Sequence, residues 1–310
     1  MLGVLDGFAT IAAVVGLGFV LAHLGVLDTA AQNLLSRLAF FVASPALLVV
    51  VMARTPIGAI FSANLVSSFA SVVVTVAIYL AVARWRWRPA LGDAVIGSLS
   101  AAYVNAGNLG LPIALYVLGD ISLMAPTLLM QLLVLTPVAM ALLDSDARGQ
   151  RPSLGASLAR VLRNPITVGA LVGILASLLG GRVPAVVMRP VELVGNMAVP
   201  AMLIAFGISL RRGPRPGASG SWSHVATLVA LKLVVQPVVA VSVGYAVVGL
   251  RGHALFAAAV TGALPTAQNV FVYANRYNRA LMLARDAIFV STLLSVPVIL
   301  LVALVFTGLG

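Results

Sequence analysis

Residues 101–119 read AAYVNAGNLGLPIALYVLG, an apolar stretch interrupted by Asn105, Gly107, Asn108, Gly110 and Pro112. A second apolar stretch, residues 257–273, is interrupted in the same manner by Gly262, Pro265, Thr266, Gln268 and Asn269. Pro112 has no N–H with which to reach the carbonyl of Asn108, four residues back. Gly107 and Gly110 permit non-helical backbone. Carbonyls and N–H groups released in this way need partners, and Asn or Gln amides supply both donors and acceptors. A half-helix starting beyond each interruption would turn its positive end toward the gap. The chemistry open to this set is recognition of a ligand, not bond making. Each segment alone also fits a proline kink with amides packed between helices. Two of them at equivalent places in two halves point to a binding site formed by Asn105, Asn108, Gly110, Pro112, Pro265, Thr266, Gln268 and Asn269.

The charge type of the ligand follows from what these segments lack. The eight acidic residues are Asp6, Asp28, Asp93, Asp120, Asp144, Asp146, Glu192 and Asp286, and none lies in either interruption. A Na⁺ or H⁺ site at membrane depth would favour a carboxylate; neutral donors and helix N-termini suit an anion. Lys232, in ATLVALKLVVQPVV, is ten residues past Trp222. At 1.5 Å per residue it sits about 15 Å into its helix, where an ammonium costs about 2.5–3.5 kcal/mol on insertion scales. It is either a tethered cation holding carbonyl dipoles or a carboxylate, or a side chain that snorkels along its helix. Gln131 and Gln236 are expected to make interhelical hydrogen bonds.

Enzymatic readings find little support. His23, His224 and His253 are scattered, so no metal site is expected, and the absence of Cys removes thiolate and disulfide chemistry. Residues 107–110 lack the Lys-Ser/Thr of a phosphate loop, and no G-x-S-x-G elbow occurs. No cofactor is expected.

The elements that must position these residues are membrane helices. The 310-residue chain is 61% hydrophobic and 9% charged, with a mean hydropathy of +1.11; soluble domains carry about 25% charged residues. A bilayer core needs about 20 helical residues. Apolar blocks of that kind lie near 5–23, 33–52, 60–83, 91–119, 122–143, 164–180, 185–210, 223–249, 252–273 and 281–308, which predicts ten spans. Residues 1–6 lack the basic segment of a signal peptide, so the first block is expected to remain as a helix. The net charge of +11 sits between the blocks, where it reads as topology rather than as a nucleic-acid surface. With the N-terminus outside, fourteen Arg fall in inside loops and four in outside loops. This places both termini extracytoplasmic. The basic loop 211–221 fits a topology anchor better than a lipid-binding segment.

The chain also repeats itself. Pro45 and Pro200 are 155 positions apart, Pro112 and Pro265 153, and Pro137 and Pro297 160. Two halves of five spans, 1–143 and 164–310, joined by a cytoplasmic linker at 144–163, must insert with opposite orientations. The predicted class is therefore an all-α membrane protein of two inverted five-helix repeats.

The stretch Asn105-Ala-Gly-Asn-Leu-Gly-Leu-Pro112 resembles the N-x-G-N-x-G-x-P signature of the auxin efflux carrier family, which includes plant PIN-type carriers and bacterial permeases for malate or malonate. Residues 264–277 resemble the family's second signature, and Ser291-Thr-Leu-Leu-Ser295 also fits. The resemblance implies broken helices 4 and 9 that cross, and a moving transport domain of spans 3–5 and 8–10. It further implies a scaffold of spans 1, 2, 6 and 7 that dimerises. Carried over, Asn105, Asn108, Pro112, Pro265, Thr266 and Asn269 line the substrate site. Plant members have a Lys-Glu pair just before the Tyr, where this chain has Asn275-Arg276, and many carry a long cytoplasmic loop absent here. These departures favour a prokaryotic carrier of another small organic anion, in a bacterial inner membrane, with Lys232 supplying charge or coupling. The alternative is a cation-coupled symporter or antiporter of the same architecture.

The topology has a direct test. A reporter fused after Gly310 that is active only in the periplasm is expected to be active. A cytoplasmic reporter active at that position would overturn the two-times-five arrangement.

Overall fold

Apolar side chains that face lipid leave the backbone to satisfy its own polar groups, and the helix does this within one segment. The computed structural model describes residues 2–54, 63–148, 163, 165–178, 183–212 and 222–308. It is 87% helix with no strands among the described residues. The central linker beyond residue 148 and the basic loop 213–221 lie outside the described residues.

The helices are α1 (Leu2–His23), α2 (Thr29–Leu38), α3 (Ser44–Arg54), α4 (Ala63–Arg86), α5 (Leu91–Ala102), α6 (Leu111–Tyr116), α7 (Ala125–Met130), α8 (Thr136–Arg148), α9 (Pro165–Leu178), α10 (Ala185–Gly195), α11 (Ala198–Arg212), α12 (Trp222–Ala230), α13 (Gln236–Ala246), α14 (Gly252–Ala263), α15 (Asn269–Tyr277) and α16 (Leu281–Gly308). Several abut directly through π-helical turns. Continuous helical stretches at Thr29–Arg54, Ala63–Arg86, Ile121–Ala147, Ala185–Arg212, Trp222–Ala246 and Leu281–Phe306 are long and apolar enough to cross a membrane. Shorter apolar helices occupy Ala9–His23, Leu91–Ala102, Pro165–Leu178 and Gly252–Ala263.

The π turns share one cause. They span Ala39–Ala43, Ala106–Gly110, Gln131–Leu135 and Leu231–Val235. Each ends two residues before a proline: Pro45, Pro112, Pro137 and Pro237. A helical proline strips the carbonyl four residues back of its donor. Widening the preceding turn moves the hydrogen bonds to i→i+5. The pre-proline N–H groups of Ser44, Thr136 and Gln236 accordingly reach Ala39 O, Gln131 O and Leu231 O. The proline is thus accommodated without breaking the helix.

The chain forms two compact units. The first comprises Met1–Ser62, Gly107–Leu129 and Arg160–Pro214; the second comprises Ala63–Ala106, Met130–Ala159 and Arg215–Gly310. In the first, α1 packs on α11, and α3 packs on α9 and α10. Glycines bring these backbones together. A Cβ on Gly207 would collide with Val15 O, one on Gly18 with Ile204 O, and one on Gly169 with Pro45 O. Close approach through small residues is how helices gain dispersion energy where lipid gives no hydrophobic drive.

In the second unit, α4 packs on α13 and α5, α14 on α13 and α16, and α8 on α5. Its interior is more polar. Ser67, Ser71, Thr75, Ser100, Gln131, Lys232, Gln236, Thr266, Asp286 and Ser291 are all buried there. At one end, Tyr277 donates to Asp144 (2.7 Å) and Arg279 pairs with Asp146 (2.8 Å), tying the α15–α16 turn to α8.

The glycine packing gives a stability prediction. Gly207→Val is expected to cost about 1–3 kcal/mol through overpacking and to lower the thermal midpoint of the purified protein. Gly16→Ala, where a Cβ meets nothing within 4 Å, leaves it unchanged. Equal midpoints for both variants would contradict the close α1–α11 contact.

Candidate functional site

Two helices of the second unit stop at their interruptions. α5 ends at Ala102, and Tyr103 leaves the helix with φ −81° and ψ 105°. α14 ends at Ala263, and Leu264 turns out with φ −59° and ψ 145°. Helix resumes at Ala106 in one case and at Asn269 in the other. The non-helical residues in the first stretch are therefore 103–105. Residues 106–116, with Gly107, Asn108, Gly110 and Pro112, are helical, because the π turn absorbs the proline.

The two interruptions pair with each other. Val104 and Thr266 form an isolated antiparallel bridge. Asn105 N–H donates to Pro265 O (2.8 Å) and Ala267 N–H donates to Tyr103 O (3.0 Å). The remaining carbonyls of this region are taken by side chains. Thr266 Oγ1 donates to Ser100 O (2.6 Å), Gln236 Nε2 to Ala102 O (3.0 Å), and Gln131 Nε2 to Val104 O (2.9 Å). Ser291 Oγ accepts from Thr266 N–H (3.2 Å). Buried backbone groups in native proteins are paired, and here the carbonyls of Ser100, Ala102, Tyr103 and Val104 each have a long-range donor.

Lys232 is fully buried (0% exposed). It lies in the π turn before Pro237, and its ammonium donates to Gln236 Oε1 and to Gly262 O (3.3 Å). Gly262 belongs to the last turn of α14, where carbonyls lack helical partners and carry the negative end of the dipole. Gln236 is thus bound at both ends of its amide, accepting from Lys232 and donating to α5. The ammonium is held by carbonyl dipoles and does not snorkel.

The expected site residues divide between the units. Asn105, Lys232, Pro265, Thr266, Gln268 and Asn269 belong to the second, while Asn108, Gly110 and Pro112 belong to the first. Asn105 and Thr266 are buried, and Thr266 has both its N–H and its hydroxyl engaged. Gln268, at the N-cap of α15, and Asn269, its first residue, are half-buried, as is Asn108. The N–H groups of Val270 and Phe271 turn back to Ala267 O and Gln268 O. Gln268 and Asn269 thus bring side-chain amides to the N-terminal end of α15.

One cluster was not foreseen from sequence. Tyr103 OH lies 3.0 Å from Thr136 Oγ1 and also reaches the side chains of Asn269 and Tyr273. A Tyr beside an Asn-rich interruption was the available signal. The hydroxyls join α5, α8 and α15 next to the half-buried Asn269.

The model of a family described as "Membrane transport protein" matches residues 4–303. A Rhizobium meliloti (strain 1021) protein named "Putative malonate transporter" is 26% identical over 296 residues, covering 91% of this chain and 89% of that one. The "Auxin efflux carrier component 1" of Arabidopsis thaliana is 30% identical over 146 residues, covering 46% of this chain and 23% of that protein. The "Probable auxin efflux carrier component 1b" of Oryza sativa subsp. japonica is 30% identical over 145 residues, covering 46% of this chain and 26% of that protein. The match thus spans about a quarter of the length of these plant relatives.

The doubly bonded Gln236 yields the next prediction. Gln236→Leu strips Lys232 of one partner and Ala102 O of its donor. A hydrogen bond to a charged group is worth about 1.5–3 kcal/mol, so the thermal midpoint drops clearly. Lys232→Met keeps the Gln236–Ala102 bond and removes the desolvated amine, which offsets the donor lost to Gln236 Oε1 and Gly262 O, so its midpoint falls less. A larger loss for Lys232→Met than for Gln236→Leu would contradict this ordering.

Proposed function

We propose an activity from one premise: the chain belongs to the membrane transport protein family and is an integral, multi-pass membrane transporter, not an enzyme. Its cargo is a small organic anion of the carboxylate class. The observation that carries this reading is the make-up of the two interruptions. They offer amides at Asn105, Gln268 and Asn269, the positive end of α15 and the nearby buried ammonium of Lys232, with no carboxylate in either segment. The Rhizobium meliloti relative, matched along nearly its full length, makes malonate the first substrate to try.

The architecture we propose has ten spans in two inverted repeats, with interrupted spans 4 and 9 crossing where Val104 meets Thr266. The six long and four shorter apolar helices fall where the ten sequence blocks lie, which supports the count. Gln131 and Ser291, each bonding to one partner of the bridge, are 160 positions apart like Pro137 and Pro297, which supports the duplication. The first compact unit contains spans 1, 2, 6 and 7, the proposed scaffold, together with residues 107–129. Elevator-like movement of spans 3–5 and 8–10 would alternate access to the site, and the scaffold would form a homodimer. A bacterial inner membrane is the proposed location, and Lys232 is the proposed coupling charge.

The test uses the purified full chain in sealed vesicles with radiolabelled malonate, with and without a Na⁺ or pH gradient. Asn105→Asp and Asn269→Asp, both in the second unit, place negative charge at the proposed anion site and are expected to abolish uptake. The corresponding Ala variants lose one hydrogen bond to a charged group, a weakening of about ten- to a hundredfold. Asp variants that transport as wild type, with uptake that requires Na⁺, would replace this reading with the cation-coupled one.

A further inference from the structure

The far end of α4 carries a feature that transport at the interruptions does not use. Leu80, Ala81, Arg84, Trp85 and Arg88 line an open cleft of about 730 Å³. The inward side of this helix end is fixed: Trp87 stacks on His224 with ring centroids 3.9 Å apart, and Tyr79 OH contacts His224 Nε2 at 3.1 Å. All five cleft-lining residues are exposed. Trp85 is 79% exposed there.

An exposed stripe leads to the cleft. Val66, Phe69, Val73 and Leu80 face outward along α4, and Arg84 and Arg88 continue the same three- and four-residue spacing. An exposed apolar face therefore runs along α4 to Arg84, and Arg88, just past the helix end, joins Arg84 and Trp85 in the cleft. No described carboxylate pairs with Arg84 or Arg88. The backbone also departs from the low-energy choice at this point. Arg88 has φ +49°, and its N–H bonds back to Ala83 O (2.7 Å) in a left-handed helix stop. Glycine is the usual residue at such a stop, and any other side chain costs about 1–2 kcal/mol there. Arg occupies the position nonetheless, and its side chain completes the cleft wall with that of Arg84.

We propose that this cleft binds the headgroup phosphate of an anionic phospholipid, with an acyl chain lying along Leu80, Val73 and Phe69. A pair of guanidiniums recognises a phosphate through charge-assisted hydrogen bonds. Exposed Trp beside the apolar stripe matches the headgroup level of a bilayer. The continuity of the apolar stripe with the two charges selects a lipid over a soluble phosphate, which would use only the charged end.

The test compares phosphatidylglycerol with phosphatidylcholine on the full chain carrying Trp222→Phe, so that Trp85 is the exposed tryptophan left among the described residues. Brominated phosphatidylglycerol in neutral-detergent micelles is expected to quench tryptophan fluorescence at concentrations about thirtyfold below brominated phosphatidylcholine, as two basic side chains near an anionic lipid imply. Arg84→Ala with Arg88→Ala removes that preference. Arg88→Gly supplies a variant that folds at least as well as the parent, because it relieves the left-handed strain, and it also loses most of the preference. Quenching that is equal for the two lipids in the parent, or a preference unchanged in Arg88→Gly and in the double variant, would overturn the assignment. So would displacement of the brominated lipid by millimolar glycerol phosphate, which would mark a soluble-phosphate site.

Discussion

The pairing of two helix interruptions through Val104 and Thr266 is the interaction on which the second unit depends. Opening a helix inside an apolar environment exposes groups that cost several kcal/mol each if left unpaired. Here each interruption supplies donors to the other: Asn105 N–H to Pro265 O and Ala267 N–H to Tyr103 O. Side chains from the surrounding helices complete the set. Gln131, Gln236 and Ser291 come from three surrounding helical segments and Thr266 from the second interruption itself, and each bonds the backbone of an interrupted segment. An interruption of one helix alone would lack this partner strand, so the two breaks stabilise one another.

Proline places several of these polar groups. Asn108, Gln131 and Lys232 all lie in π turns that end two residues before a proline. The wider turn is needed because the proline removes one N–H from the ladder. It also adds a residue to the turn, which changes the direction in which side chains leave the helix. π turns occur frequently at functional sites, and the X-Pro sequence is a concrete reason for their presence here. Lys232 shows the electrostatic consequence. Its ammonium meets Gln236 Oε1 and the carbonyl end of α14 rather than a counter-ion. That environment satisfies its protons with neutral acceptors beside the interruptions.

The two compact units are held together internally by different means. The first relies on backbone proximity at Gly18, Gly207, Gly169 and Gly173, with few buried polar side chains among its described residues: Ser44, Thr127 and Thr167. The second contains the other buried polar residues, on α4, α5, α12 to α14 and α16 and the turns between them. Dispersion between small residues is short-ranged and tolerant of direction. Hydrogen bonds demand particular partners. The proposed anion site draws on the unit with the hydrogen-bonded polar interior, where donors already held in place cost less to order on binding.

Local chemistry was legible in the sequence. Long apolar blocks with few charges determined a helical membrane protein, and the Asn, Gly and Pro residues marked both interrupted segments. The amides of Gln131 and Gln236, which cannot be buried without partners, were readable as hydrogen-bonding side chains. The cost of burying one lysine flagged Lys232. The tertiary structure decided what pairs with what. Nothing local states that Val104 meets Thr266, 162 positions away, or that Lys232 reaches Gly262 O. The sequence pattern also spread the first break over Asn105 to Pro112, whereas the non-helical residues are 103–105, so only Asn105 of that set lies in the break. Glycine and proline permit a break but do not require one. A π turn satisfies Pro112 within the helix, and the chain opens instead at Tyr103 to Asn105, where the opposing strand, Gln131 and Gln236 supply the partners that its freed backbone groups need.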